Sequence, residues 1–302
     1  MMSAIKWPKI SIVTPSFNQG QYLESTIISV LSQGYPNLEY IIIDGGSTDN
    51  SLEIIKKYSP HLHFWCSKAD DGHYCAVNEG FSKASGDIFA WLNSDDMYCM
   101  DAFKTVGTIF FHFPNLAWLT TLQQLVFDSR GRCTSVKCIP GFSRQAFLDG
   151  LYFTRKFSGL GFIQQESTFW RRELWEKVGG IKTKFSLAGD FDLWARFFLY
   201  EDLYGVDHPL GGFRIHGKNS SRQLNNTYIR EAKQSLEEIR LQLNWTRGTS
   251  LSAFWNNVKW MPIVRRLSEF CNMPRKSMYT STVISQADPR QENQWQMTTA
   301  RF

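Results

Sequence analysis

Through the first third of the chain, short apolar runs that stop at polar turns alternate with segments of helical periodicity. Lys9 to Thr14 (KISIVT) and Leu38 to Ile43 (LEYIII) are β-branched runs that end at Pro15-Ser16 and at Asp44-Gly45-Gly46, as buried strands closed by turns do. Between them, Gln21 to Ser32 carries Leu23, Ile27, Val30 and Leu31 at helical spacing and is followed by Gly34. A helix over SLEIIKKY, with Ser47, Asp49 or Ser51 as candidate caps, a strand around Leu62 to Cys66, a helix around Ala76 to Lys83 and a strand over Asp87 to Leu92 continue the alternation. The order predicts a doubly wound, Rossmann-like, mostly parallel α/β sheet flanked by helices.

Sheets of this kind bind ligands beyond the carboxyl ends of their strands, near a switch in strand order. That rule gathers Thr14 to Asn18, Asp44 to Ser47, Ala69 to Gly72 and Asn93 to Asp96 on one rim. The second half is less regular. Trp118 to Phe127 and Gly131 to Ile139 read as a hairpin, Phe162 to Trp170 as one strand, and Arg172 to Val178 as a helix ended by Gly179-Gly180. FDLWARFFLY after Asp190 reads as a helix, and Gly211 to His216 as a strand on which Arg214 and His216 share a face. Near residue 220 the character changes to an amphipathic helix (TYIREAKQSLEEIRLQL), a Trp-containing basic stretch and a polar terminus. Residues 1–220 therefore form one expected domain, and 221–302 a helical, basic extension.

Composition narrows the class. With 302 residues, 43% hydrophobic and 15% aromatic, the chain can bury a large core and is not a disordered segment. The six cysteines form no C-x-x-C pair and no zinc-like spacing, so reduced, structural thiols are expected. The net charge of +5 lies in the tail, where nine basic residues stand against three acidic ones from Arg240 onward. The bulk of the protein therefore does not look like a nucleic-acid binder. No run is long and apolar enough for a membrane span, and the amino terminus lacks the apolar stretch of a signal peptide, which predicts a cytoplasmic protein.

The chain has no G-x-G-x-x-G after its first strand and no G-x-x-x-x-G-K-S/T, which removes the common dinucleotide and P-loop readings. A nucleotide bound without a glycine loop needs another means of neutralising its diphosphate, and Mg²⁺ or Mn²⁺ held by carboxylates provides one. Asp95 and Asp96, in WLNSDDMY, close the strand that begins at Asp87 and are candidates for that task. The plainer alternative is that Ser94 or Asp95 only caps a helix from Met97 onward.

The stretches IVTPSFNQGQYLESTIISVLSQ, IIIDGGSTDNS, ADDGHYCAVNEGF, GDIFAWLNSDD, QQESTFWRRELWEKVGG and AGDFDLWARF together resemble the family 2 glycosyltransferases of the glycosyltransferase-A fold, over roughly residues 8 to 220. The resemblance implies that Pro15, Phe17 and Asp44 bind the base of a nucleoside diphosphate sugar, with Phe17 able to stack on it or simply to pack. The family more often has a second acid where this chain has Gly45. Asp70, with Asp71 as its competitor, matches the acid that borders the nucleoside, and Asn78 matches the family's helix asparagine. Asp95 matches the acid between ribose and metal, and Asp96 the main ligand of Mn²⁺ or Mg²⁺. Asp190 matches the catalytic base, with Asp192 as fallback and helix capping as the plain alternative. Glu166 is implied on the acceptor side, Arg214 or Lys218 at the diphosphate, and His216 either as a metal ligand or as a structural histidine.

A processive Q-x-x-R-W signature is missing, so addition of a single sugar to a glycan or polyprenol-linked acceptor is expected, in bacterial surface-polysaccharide or lipopolysaccharide assembly. The tail AFWNNVKWMPIVRRL has the aromatic and basic residues of a peripheral contact with the inner membrane, or packs on the catalytic domain. A sugar-phosphate nucleotidyltransferase is disfavoured because TPSFNQG stands where those enzymes carry a glycine-rich turn. A non-enzymatic derivative is disfavoured because Asp44, Asp95, Asp96 and Asp190 are all present.

Overall fold

The computed structural model describes residues 6–154, 160–217, 219, 224–245, 279–288 and 294–302. Its first part is β1 (Ile10–Ser16), α1 (Gly20–Leu31), β2 (Leu38–Asp44), α2 (Ser51–Tyr58), β3 (Phe64–Ser67), α3 (His73–Ser82) and β4 (Ile88–Trp91). Then follow β5 (Met97–Tyr98), α4 (Ala102–His112), β6 (Trp118–Thr121), β7 (Gln123–Phe127), β8 (Cys133–Cys138), α5 (Arg144–Leu148), β9 (Phe153–Thr154) and β10 (Gly161–Phe162). β11 (Phe169–Arg171), α6 (Arg172–Val178), α7 (Gly189–Phe197), β12 (Tyr204–Val206), β13 (Gly211–Arg214), α8 (Asn225–Gln242), β14 (Thr280–Gln286) and β15 (Trp295–Arg301) complete it.

Among the described residues the main sheet runs β15-β14-β12-β6-β11-β4-β1-β2-β3. β3, β2, β1 and β4 are parallel, β11 is antiparallel to both of its neighbours, and β15 is antiparallel to β14. Strand order reverses beside β1, because α1 leads to β2 on one side whereas α3 returns the chain to β4 on the other. Every residue of β1 is buried, which is why its sequence is a continuous run rather than an alternation. Two of its polar members are paired: Ser11 donates to Glu39, and Thr14 bonds the Tyr40 hydroxyl at 3.1 Å. This is the doubly wound architecture that the alternation of strands and helices predicts.

Four buried tryptophans bind the two halves. Trp194 of α7 stacks on Trp91 of β4 (5.9 Å between ring centroids) and on Trp118 of β6 (5.7 Å), while Trp170 of β11 meets Trp91 edge-on at 5.5 Å. Helix α7, which opens with Gly189-Asp190, is thereby fixed to the middle of the sheet.

Three sequence expectations change. The expected strand over 118–127 is two strands in different sheets: Trp118–Thr121 joins the main sheet, and Gln123–Phe127 pairs with β8 in a second sheet ordered β5-β13-β7-β8. Thr121 makes the break, its hydroxyl donating to the His208 carbonyl (2.8 Å) while accepting from the Gln123 N–H (2.9 Å). The expected strand over 162–170 is interrupted by a 3-10 turn at Gln165–Ser167. There Gln164 and Gln165 donate to the backbone carbonyls of Leu125 and Trp91 instead of continuing a ladder. The terminus beyond the basic stretch is a hairpin whose β14 pairs in parallel with β12, burying Ile284 and extending the main sheet.

Glu39 closes the rear of the sheet. Facing Ser11 across β1 and β2, it is 1% exposed and accepts from Ser11, from the Ser85 N–H and hydroxyl, and from Lys9 at 2.8 Å. Burial pushes its carboxyl up, but the donors on Lys9, Ser11 and Ser85 outweigh that and hold it at about 2. A carboxylate depressed in the folded state stabilises above its unfolded value and loses that stabilisation as pH falls toward the folded one. Glu39→Gln should therefore destabilise the protein by roughly 2 kcal/mol at pH 7, with a deficit that shrinks between about pH 4 and pH 2. Urea unfolding across that range measures it; equal stability at pH 7 would refute this account.

Candidate active site

The four turns expected on one rim do meet there. The Asn18 N–H donates to Ser47 Oγ and the Thr48 N–H to Asn18 Oδ1, both at 2.8 Å, joining the turns after β1 and β2. A Cβ on Gly46 would stand 3.0 Å from the Ala69 nitrogen, so the turn after β3 packs closely on the turn after β2. On the other side of β1, Thr26 of α1 places its hydroxyl between the carbonyls of Ser94 and Asp96 (2.9 and 2.8 Å). The acid pair thus stands at the switch in strand order, where the fold leaves a crevice.

Asp96 has no exposed surface; its Oδ1 accepts the Arg214 N–H at 2.8 Å and its Oδ2 the Asn93 amide at 3.3 Å. Burial first, then the charges of Asp95 and Glu166, push its carboxyl well above the usual range. Asp95 keeps 15% of its side chain exposed and bonds His216 Nε2 at 2.9 Å. His216 stacks on Tyr22 at 4.4 Å, and the Arg214 guanidinium lies over the same ring at 5.1 Å and donates to Ser25 Oγ at 2.8 Å. Arg214 and His216 share one face as the strand reading required, although β13 ends at Arg214. Glu166 is buried in the 3-10 turn, close enough to Asp96 to raise it. Lys218 and the basic aromatic segment 253–267 lie outside the described residues.

Among the described residues no three His, Cys, Asp or Glu side chains surround a common point as a metal cage. Mg²⁺ and Mn²⁺ do not need such a cage, because one or two carboxylates suffice when phosphates complete the shell. The donors here fit: hard oxygen ligands crowded so closely that Asp96 resists ionisation, with a carboxylate beside it still partly open. His216 fits less well as a ligand, since its Nε2 is already bonded to Asp95 and lies 3.1 Å from the Asn219 amide.

On the nucleoside side, Phe17 is 61% exposed and open to a stacking partner, and Pro15 is buried within β1 beside it. Asp44 differs from expectation. It has no exposed surface, because its two oxygens accept from the Ser47 N–H (2.9 Å), the Ser47 hydroxyl (2.6 Å) and the Ser67 hydroxyl (2.7 Å). It shapes the turn rather than facing a base. Asp70 accepts from the Gly72 N–H at 2.8 Å, and a Cβ at Gly45 would stand 3.0 Å from its Oδ2. The carboxylate of Asp70 therefore occupies the space beside Gly45, where the family resemblance leads to the expectation of a second acid. Asn78 is also placed otherwise: its amide donates to the Ile181 carbonyl (2.8 Å) and accepts the Ile181 N–H (3.1 Å), which binds α3 to the segment before α7.

Asp190 and Asp192 open α7 in different surroundings. Asp192 is 2% exposed and committed, bonding Arg196 Nε at 2.8 Å and Ser235 Oγ at 3.0 Å, so it cannot serve as an alternative base. Asp190 is half-buried and accepts the N–H of its neighbour Phe191 at 2.7 Å. Burial pushes its carboxyl up to about 7, with Glu231 adding to the rise. Tyr74, which the sequence reading passed over, donates to the Leu187 carbonyl (2.7 Å) and accepts the Gly189 N–H (2.9 Å), bringing Asp190 beside the start of α3 and hence to the rim. Its place two residues after Gly72 in ADDGHYCAVNEGF was the available signal. Tyr22 was also missed and carried none, being one more apolar position of α1 in sequence.

Residues 11–106 match the family described as Glycosyl transferase family 2. An uncharacterized glycosyltransferase of Mycobacterium tuberculosis is 29% identical over 225 residues, covering 72% of this chain and 79% of that one. TuaG of Bacillus subtilis, a putative teichuronic acid biosynthesis glycosyltransferase, is 36% identical over 97 residues, or 31% of this chain and 38% of that one. Among solved structures, Staphylococcus aureus TarS in complex with UDP-GlcNAc superposes with a TM-score of 0.60 at 15% identity, over 87% of this chain and 73% of that one. The mannosyltransferase PcManGT of Pyrobaculum calidifontis, in complex with GDP-Man and Mn²⁺, gives 0.52 at 13% identity, over 87% and 84%. These likenesses establish the glycosyltransferase-A fold. Among the described residues no helix is long and apolar enough to cross a membrane.

A carboxyl raised in the folded state costs stability once it ionises. The cost is absent below the unfolded value near 4, grows as pH rises and is complete above about 7. Asp190→Asn should therefore melt at a higher temperature than the parent at pH 8, by the equivalent of roughly 2–4 kcal/mol, and at the same temperature at pH 4. Thermal unfolding at the two pH values checks this, and a lower melting temperature at pH 8 would contradict the burial of Asp190.

Proposed function

The chain is a family 2 glycosyltransferase, and from that premise we propose that it moves a single sugar, with inversion, from a nucleoside diphosphate sugar to a hydroxyl of a glycan or polyprenol-linked glycan. The observation that carries the reading is the pairing of two unlike acidic sites on one rim. Crowded carboxylates at Asp95 and Asp96 lie beside Arg214, and a separate carboxyl at Asp190 is pushed up to about 7.

The donor lies along the rim with its base against Phe17, its ribose toward Asp70 and Asp95, and its diphosphate toward Arg214. The buried Arg214 guanidinium, held over Tyr22, offers planar donors to phosphate oxygens. Asp96, with the partly exposed Asp95 beside it, would hold Mn²⁺ or Mg²⁺; when bound, that cation supplies positive charge that stabilises the diphosphate as a leaving group. His216, bonded to Asp95, orients that carboxylate. Asp190 accepts the proton of the acceptor hydroxyl as its oxygen attacks the anomeric carbon from the face opposite the diphosphate. A base titrating near neutrality is well matched to that task, since it is ionised at working pH yet basic enough to take a proton. Glu166, buried behind Asp96, supports the acid cluster from within rather than meeting the acceptor.

A uridine-based donor is favoured by the UDP-GlcNAc complex of TarS, and the Mn²⁺ complex of PcManGT supports the metal. TuaG supports a place in surface-polysaccharide assembly. Such acceptors are handled at the inner face of the plasma membrane, where the basic aromatic segment 254–266, outside the described residues, would make a peripheral contact.

Asp96→Asn and Asp190→Asn should each lower transfer by a factor on the order of 10³ or more. Calorimetry should find Mn²⁺-dependent UDP binding weakened by the first and retained by the second. In the parent enzyme kcat should fall as pH drops through about 7, because Asp190 must be ionised. Full transfer activity in either variant would defeat the assignment.

A further inference from the structure

Helix α8 lies beyond the matched family segment, yet it reaches the residues directly ahead of Asp190. Glu231 Oε1 accepts from the Ser186 hydroxyl (2.8 Å) and N–H (3.3 Å), and its Oε2 accepts from the N–H groups of Leu187 (2.9 Å) and Ala188 (3.0 Å). No side chain at Ala188 caps α7; Glu231, from another helix, instead accepts the N–H of the cap residue Ala188 and of the two residues before it, fixing the chain as it enters the helix. One turn further along α8, Ser235 donates to Asp192 Oδ1 at 3.0 Å. Tyr74 holds the other side of the same segment through Leu187 and Gly189.

We infer that Glu231 is a positioning residue for the base: its carboxylate fixes the backbone of 186–188 so that the first turn of α7 presents Asp190 to the acceptor hydroxyl. The inference rests on reading Asp190 as that base. Glu231 is 9% exposed, and although burial pushes its carboxyl up, the donors on Leu187, Ser186 and Ala188 outweigh that and keep it ionised at neutral pH. Its negative charge lies close enough to raise Asp190. The other titratable groups near Asp190 are Tyr74 of α3 and Tyr228 of α8, both pushed up by burial, and Asp192 and Arg196 of its own helix, which pair with each other. Among the described residues Glu231 is thus the charge outside α7 that tunes the base as well as placing it.

The design is specific to a carboxylate. A glutamine offers one acceptor oxygen and sets an N–H group against the N–H groups of Leu187 and Ala188, so the segment must shift. A small displacement of a catalytic group costs on the order of 10²-fold in rate. Glu231→Gln should therefore lower kcat about 10- to 100-fold, keep the donor KM and calorimetric UDP affinity within about twofold, and move the acid limb of the kcat profile to lower pH. The shift has that sign because a lost negative neighbour makes Asp190 easier to ionise. Glu231→Asp keeps the charge on a shorter stem; it should lower kcat with the limb unmoved, and it decides the matter should the Gln variant fail to fold.

Wild-type kcat in both variants, beside an inactive Asp190→Asn, would overturn the role of Glu231 and leave the base in place. A fall in kcat and UDP affinity together, with no movement of the limb in Glu231→Gln, would make Glu231 a brace of the fold and likewise overturn it. An active Asp190→Asn would instead remove the base reading itself.

Discussion

Three carboxylates, those of Asp95, Asp96 and Glu166, are gathered behind the carboxyl ends of a parallel sheet, and much of the surrounding structure serves to tolerate their mutual repulsion. Such crowding is expensive away from water unless positive charge or donors answer it. Arg214 answers with its backbone N–H on Asp96 and a guanidinium buried over Tyr22. His216 answers with a bond to Asp95, and Asn93 with its amide. The compensation is incomplete, since Asp96 still resists ionisation. A fold that keeps an under-neutralised acid cluster at the switch in its strand order has the electrostatics of a place meant to receive a cation or a cation-bearing ligand.

The partners in that cluster are far apart in sequence. Arg214 follows Asp96 by 118 positions and donates to it only because β13 pairs antiparallel with β5, directly after the acid pair. Thr26 of α1 fixes the same turn through backbone carbonyls. The acid pair is thus clamped by elements from three regions of the chain, and the second half is as much a part of the site as the motif-bearing first half. The terminal hairpin extends this integration, with β14 completing the sheet beside β12 and Ser281 accepting the Phe142 N–H at 2.9 Å.

What the sequence made legible follows from how local each determinant is. The strand and helix alternation up to Trp91 is encoded by periodicity and turn residues within short windows, and the structure matches it to within a few residues. The rim of polar turns follows from that alternation by topology alone. The break at Thr121 and the turn at Gln165 were not legible, because they depend on side-chain bonds to His208, Leu125 and Trp91 across the fold. Asp44 and Asn78 show the same limit from the other side. Their residue types suit ligand binding, and only the positions of Ser47, Ser67 and Ile181 reveal that both are spent inside the protein. Glu231 sits in a helix whose sequence reads as an ordinary amphipathic surface element, and nothing local distinguishes it from Glu237 or Glu238.

Two aspartates separated by one residue give the clearest case of environment assigning a role. Asp192 points inward to Arg196 and Ser235, its charge neutralised and both of its oxygens bonded. Asp190, two positions earlier, lies near the buried Tyr74, the partly buried Tyr228 and Glu231 and, among the described residues, has no basic partner; burial first, with Glu231 adding to it, raises its carboxyl to about 7. The same side chain on the same helix is a structural anion in one place and, under the proposed function, the proton acceptor in the other. The salt bridge also serves the proposed base indirectly. Arg196 donates to the carbonyls of Val178 and Gly180, so the helix that presents Asp190 is anchored at the turn closing α6, and the cost of burying one charged pair secures the geometry of the unpaired acid beside it.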